Sequence, residues 1–181
     1  VCVAPEASNE EMKDMHKVKT PDARTIDEVA AFFGKDAKSF VKTMIYNCDG
    51  KLYAVLVRGD REINEVKLAN ITGAAEVALA DAEDVVKITG AKVGFAGPVN
   101  LSAPIIADNE VMAMRNFIVG ANETDCHIEN VNPGRDFTPE ITADIRSIEE
   151  GDICPVCGKR IKTAQGIEVG HIFKLGTKYS D

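Results

Sequence analysis

Phe40-Val-Lys-Thr-Met-Ile-Tyr-Asn-Cys-Asp-Gly-Lys-Leu-Tyr-Ala-Val-Leu-Val57 sets two β-rich runs on either side of Asp49-Gly50. Asp-Gly is among the strongest two-residue hairpin signals, because both central positions of a type I′ turn need φ > 0, which glycine adopts freely and aspartate tolerates. The stretch predicts an antiparallel strand pair. Its second arm, 52–57, is the longest clean apolar run, far short of the roughly 18 residues of a membrane span. Lys42 interrupts the first arm. With Val41 and Thr43 on one face, it shares the other with Phe40 and Met44, an odd place for a solvated charge.

On the N-terminal side, Thr25-Ile-Asp-Glu28 has the capping-box spacing, and Val29, Phe32 and Phe33 form an apolar stripe before Gly34. These residues predict a short helix. On the C-terminal side, Ile63, Val66, Leu68 and Ile71 predict a helix ending near Gly73, and 77–80 a short strand. Asp81 opens a helix that runs to Gly90. Strands are expected over 105–111, 117–119 and 127–131, and a short extended or helical stretch over 141–148. Alternating helices and strands around a hairpin give an α/β class with a mixed, partly antiparallel sheet and flanking helices. Residues 25–150 form the expected domain. Residues 1–24 show no sustained period and read as a connecting arm; residues 151–181 read as a Cys-x-x-Cys turn with a further segment.

The chain has 181 residues, 45% hydrophobic and 28% charged, ordinary for one globular domain with appendages. With no membrane span and no signal-like start, the expectation is a soluble, cytoplasmic protein. Lys plus Arg is 21 and Asp plus Glu 29, a net charge of −8 that disfavours general duplex binding through phosphate neutralisation. Between positions 38 and 67, however, six basic residues face four acids, so a local phosphate contact remains compatible with the count. Five cysteines, only Cys154 and Cys157 closely spaced, argue against a secreted disulfide framework.

Each residue that can carry chemistry has a plainer reading beside it. Gly94-Phe-Ala-Gly97-Pro98 either aims backbone N–H groups at a carbonyl oxygen or phosphate, or is an ordinary tight turn. Lys42 binds a phosphate or ester carbonyl, or is a lysine on an open sheet face. His16, His127 and His171 are each a candidate general base near neutral pH or a structural imidazole. Cys154-Pro-Val-Cys157-Gly158 has the form of half a tetrahedral zinc site, but the second Cys-x-x-Cys is missing, and further ligands would have to come from Cys2, Cys48, Cys126, His127 or His171. A bare turn with two thiols is preferred and no metal is expected. No nucleophile elbow or phosphate-binding P-loop occurs, so covalent catalysis has no support.

Taken together, Thr25-Ile-Asp-Glu-Val-Ala-Ala-Phe-Phe, Val41-Lys-Thr-Met-Ile-Tyr, Leu56-Val-Arg-Gly-Asp-Arg-Glu-Ile-Asn-Glu-Val-Lys67, Val93-Gly-Phe-Ala-Gly-Pro-Val, Phe117-Ile-Val-Gly-Ala-Asn122 and Asp144-Ile-Arg resemble the insertion (editing) domain of bacterial-type prolyl-tRNA synthetases. Gly166-Ile-Glu-Val-Gly-His-Ile-Phe-Lys-Leu-Gly-Thr-Lys-Tyr-Ser180 looks like the return into that enzyme's class II catalytic domain. The resemblance implies a cis-editing hydrolase that removes alanine from tRNA(Pro) without a covalent protein nucleophile. It carries the editing lysine onto Lys42, the pocket histidine onto His127, and the substrate-binding loop onto Gly94, Phe95, Ala96, Gly97 and Pro98. It also implies the acceptor end of tRNA(Pro) and the synthetase domain of the same chain as partners, a homodimeric parent, and no cofactor for editing. ATP and Mg serve ligation in the parent. The rivals are a freestanding trans-editing deacylase and a non-catalytic RNA-binding or zinc module.

Overall fold

The computed structural model of the chain describes residues 2–164 and 166. The expected return segment and His171 lie outside the described residues, save Gly166. The hairpin forms as read: β2 (Val41–Cys48) pairs antiparallel with β3 (Lys51–Arg58), Cys48 opposite Lys51, and Asp49 and Gly50 turn at φ 51° and 85°. These are the two positive φ values that a type I′ turn requires.

Around the hairpin a five-stranded sheet runs in the order β4-β2-β3-β5-β8, with β4 (Val77–Leu79), β5 (Ile105–Asp108) and β8 (Ile141–Ala143). β2 pairs antiparallel with both neighbours, whereas β3/β5 and β5/β8 are parallel. A second, three-stranded sheet has the order β1-β7-β6: β1 (His16–Lys19), β7 (Cys126–Val131) and β6 (Phe117–Gly120). Strand alternation sorts the β2 side chains between two apolar layers. Val41 and Ile45 join Leu56, Ala107, Phe117 and Val119 between the two sheets. Met44 and Tyr46 face the opposite way, where Val55, Val57 and Leu68 make a second layer. β3 lies between these layers, and its residues Ala54, Val55, Leu56 and Val57 are fully buried. That is why its sequence is continuously apolar rather than alternating.

The helices start and stop where their caps require. In α1 (Ile26–Phe33) the Thr25 side chain accepts from the Glu28 N–H and Glu28 reaches back to the Thr25 N–H, while Gly34 closes the helix at φ 62°. Of the expected stripe, Val29 is buried but Phe32 is 49% exposed, so the apolar face is narrower than the spacing implied. α2 (Glu65–Thr72) is capped by Asn64 and Gly73, and α3 (Ala82–Thr89) by Asp81 and Gly90.

Two segments depart from expectation. The expected strand over 105–111 stops at Asp108, because its carboxylate caps α4 (Asn109–Ala113) through the Glu110 N–H and also accepts from the Ile145 and Arg146 N–H groups. The 141–148 stretch, expected as extended or helical, is extended over Ile141–Ala143, as β8. Within the segment read as a connecting arm, His16–Lys19 forms β1, pairing antiparallel with β7 from His16↔Glu129 to Lys19↔Cys126. With only Val18 apolar, its lysines suit an exposed edge strand and hide it from a periodicity search.

Candidate active site

β4 covers only Tyr46, Asn47 and Cys48 of β2, so the strand's first half reaches past its neighbour. That open edge lies against β6, bridged at Phe40↔Ile118, and a cavity of about 370 Å3 occupies the junction of the two sheets. Its walls are the 41–45 edge of β2, residues 118–120 of β6, the start of α1, the end of β4 with α3, the turn at Gly94 and Ala96, and His127 from β7. Lys42, Gly94 and His127, widely separated in sequence, thus meet around one space.

Lys42 is a strand residue whose side chain is 17% exposed, with Nζ 2.6 Å from Oε1 of Glu62. Glu62 is 78% exposed, so the pair is solvated at its acidic end and the carboxylate is free to move with little penalty. The lysine is therefore held in place without being locked away.

His127 is 5% exposed. Its Nδ1 is hydrogen-bonded to Thr20 Oγ1 at 2.6 Å, leaving Nε2 as its remaining polar atom, and the Phe95 ring meets the imidazole edge-on at 5.7 Å. Burial lowers its pKa from the usual 6.5 to about 4. The imidazole is thus neutral at physiological pH and serves as a hydrogen-bonding group rather than a cation. In the unfolded chain it takes up a proton near pH 6.5, so its contribution to stability is complete above that pH and is lost as pH falls through 4. The shift corresponds to roughly 3 kcal/mol at full protonation. Denaturant titrations between pH 7 and 4 should show a steeper loss of stability for the native domain than for His127→Gln.

The 94–98 loop divides its labour. Gly94, at φ 103°, and Ala96 line the cavity. Phe95, Gly97 and Pro98, the other residues of the expected substrate-binding loop, are buried and do not line the cavity. Phe95 supports the imidazole, and Gly97 presses on Gly120, so closely that a Cβ on Gly97 would lie 1.8 Å from the Gly120 carbonyl oxygen. Asn122 fastens the loop: Oδ1 accepts from the Gly97 N–H at 2.8 Å, and Nδ2 donates to the carbonyls of Gly97 and Val99. Thr20, Gly120 and Asn122 have no place in a periodicity reading, because their roles arise only from contacts across 23 or more positions.

The remaining candidates do not join this group. His16 is exposed on β1, and the Cys154 turn is closed by the Gly158 N–H donating to the Cys154 carbonyl at 2.9 Å. Cys2, Cys48 and Cys126 are buried elsewhere, and no cluster of three or more metal-ligating side chains forms among the described residues. None of the described helices is long and apolar enough to cross a membrane.

The sequence pattern of the aminoacyl-tRNA editing domain matches residues 20–137. The proline–tRNA ligase of Caldicellulosiruptor saccharolyticus is 58% identical over 178 residues, 98% of this chain and 31% of the ligase; that of Geobacter metallireducens is 49% identical over 94% of this chain and 30% of the ligase. The chain thus spans about a third of the length of these relatives. In fold it is similar to the crystal structure of hypothetical protein APE2540, with a TM-score of 0.62, 26% identity and coverage of 74% of this chain and 92% of that one. It is also similar to a candidate trans-editing enzyme for prolyl tRNA synthetase, with a TM-score of 0.60, 19% identity and coverage of 74% and 87%. The chain belongs to the aminoacyl-tRNA editing domain family and corresponds to the editing insertion of prolyl-tRNA synthetases.

Proposed function

We propose that the domain hydrolyses the ester of alanyl-tRNA(Pro), clearing a mischarging product of a parent proline–tRNA ligase that uses ATP and Mg for ligation. The observation that carries this reading is the convergence of Lys42, His127 and the Gly94 main chain on one cavity, with no serine or cysteine among its lining residues. An aminoacyl ester is already activated and needs a placed water and a stabilised oxyanion more than a protein nucleophile. Water adds to the ester carbonyl, the C–O bond to the terminal ribose breaks, and the ribose oxygen leaves with a proton that its neighbouring hydroxyl can relay. Gly94, lacking a side chain, lets the loop backbone approach the ester. Lys42 binds the acceptor end or the carbonyl once Glu62 releases it, and neutral His127 orients substrate or water through Nε2.

A synthetic site for proline cannot strongly reject the smaller alanine, since the lost apolar contact is worth about 1–3 kcal/mol; a hydrolytic sieve based on exclusion by size answers this. The partners that follow are the acceptor end of tRNA(Pro) and a class II catalytic domain in the same chain, the parent being a homodimer acting in the cytoplasm. A deacylation assay with both charged forms of tRNA(Pro) tests the reading. Alanine should be released and proline retained; efficient hydrolysis of prolyl-tRNA(Pro) would overturn it.

A further inference from the structure

Thr43 Oγ1 is buried and has no hydrogen-bond partner among the described residues. Thr43 belongs to the cavity wall and shares a face of β2 with Val41 and Ile45, which pack into the apolar layer between the sheets. Its other orphan counterpart, Asp125 Oδ1, belongs to the turn before β7 and not to that wall. A hydroxyl without a partner in such surroundings is destabilising, and valine would fill the same space without that penalty. Its presence on a ligand-sized cavity is explained if a ligand supplies the partner.

Resting on the deacylase reading above, we infer that Thr43 is a substrate-binding residue whose Oγ1 accepts a hydrogen bond from the α-amino group of the aminoacyl ester. Beyond its carbonyl, an alanyl ester carries two substituents on Cα, a methyl and an amine. The methyl suits the valine and isoleucine walls, and the amine is the single group there able to hydrogen-bond. Lys42 lies next in sequence but on the opposite face of β2, toward Glu62, so the two side chains take different parts of the substrate. The preferred substrate class is therefore an ester of a small amino acid with a free primary amine. In proline the amine is tied back into the side-chain ring, so amine and apolar group cannot be placed independently.

The test uses the whole chain with alanyl-tRNA(Pro) and propionyl-tRNA(Pro), the same ester without the amine, in single-turnover assays on wild type, Thr43→Val and Thr43→Ser. Thr43→Val should lose roughly 10- to 100-fold in kcat/KM on the alanyl ester and less than about twofold on the propionyl ester. Thr43→Ser should retain the alanyl preference. The thermal midpoint of Thr43→Val should equal or exceed that of wild type, a sign opposite to that of a structural hydroxyl. Equal losses on both esters, no loss on either, or a lowered midpoint would overturn the inference while leaving the deacylase reading intact. Wild-type inactivity on both esters would overturn both.

Discussion

Replacing Lys42 with alanine should lower single-turnover hydrolysis of alanyl-tRNA(Pro) by about 100-fold or more, the usual cost of removing one preorganised group that stabilises developing negative charge. Stability should hardly change. The side chain's recorded partner is Glu62, which is 78% exposed and regains water when the lysine is gone, so the lost pair is worth about 0–1 kcal/mol. His127→Ala should give the smaller kinetic loss, because its imidazole is neutral and partly engaged by Thr20. A thermal melt run beside the deacylation assay separates the two effects. Wild-type rates from a folded Lys42→Ala protein would remove the cation from the mechanism.

Gly97→Ala should have the opposite profile, a large loss of stability that takes activity with it. The added Cβ would sit 1.8 Å from the Gly120 carbonyl oxygen and 2.8 Å from its carbonyl carbon. Both are backbone atoms of β6, held between its ladder to β7 and the loop itself, so no side-chain rotation relieves the clash. A shift of the loop would also break the Asn122 bonds. The cost should be about 3–5 kcal/mol, a fall in the thermal midpoint of roughly 10 °C. Gly94→Ala provides the contrast. Its Cβ would meet Arg24 at 3.0 Å and its φ of 103° disfavours a side chain, so a smaller destabilisation should accompany a near-complete loss of deacylation. A Gly97→Ala melt within a degree or two of wild type would show that the loop can lift from β6.

Local chemistry made much of this protein legible. Asp49-Gly50 demanded a hairpin, Thr25 and Glu28 a capped helix, and Asp81 with Gly90 the two ends of another, because each signal acts within four residues of the backbone it shapes. Lys42 stood out because a cation in an apolar strand contradicts strand periodicity, and the Gly94 loop because glycine and proline break any period. What those residues do could not be read from their neighbours alone. The site exists where the uncovered edge of β2 meets β6, and that depends on β4 ending early, on Gly97 and Gly120 allowing backbones to touch, and on Thr20 reaching His127 from the residue just after β1, a strand whose sequence has almost no apolar pattern. The sequence by itself determined the hairpin, the caps of α1 and α3 and the family resemblance. Tertiary structure alone decided that His127 is neutral, that Phe95, Gly97 and Pro98 build the wall rather than face the cavity, and that Thr43 carries an unpaired hydroxyl, since burial and pairing are properties of contacts between distant segments.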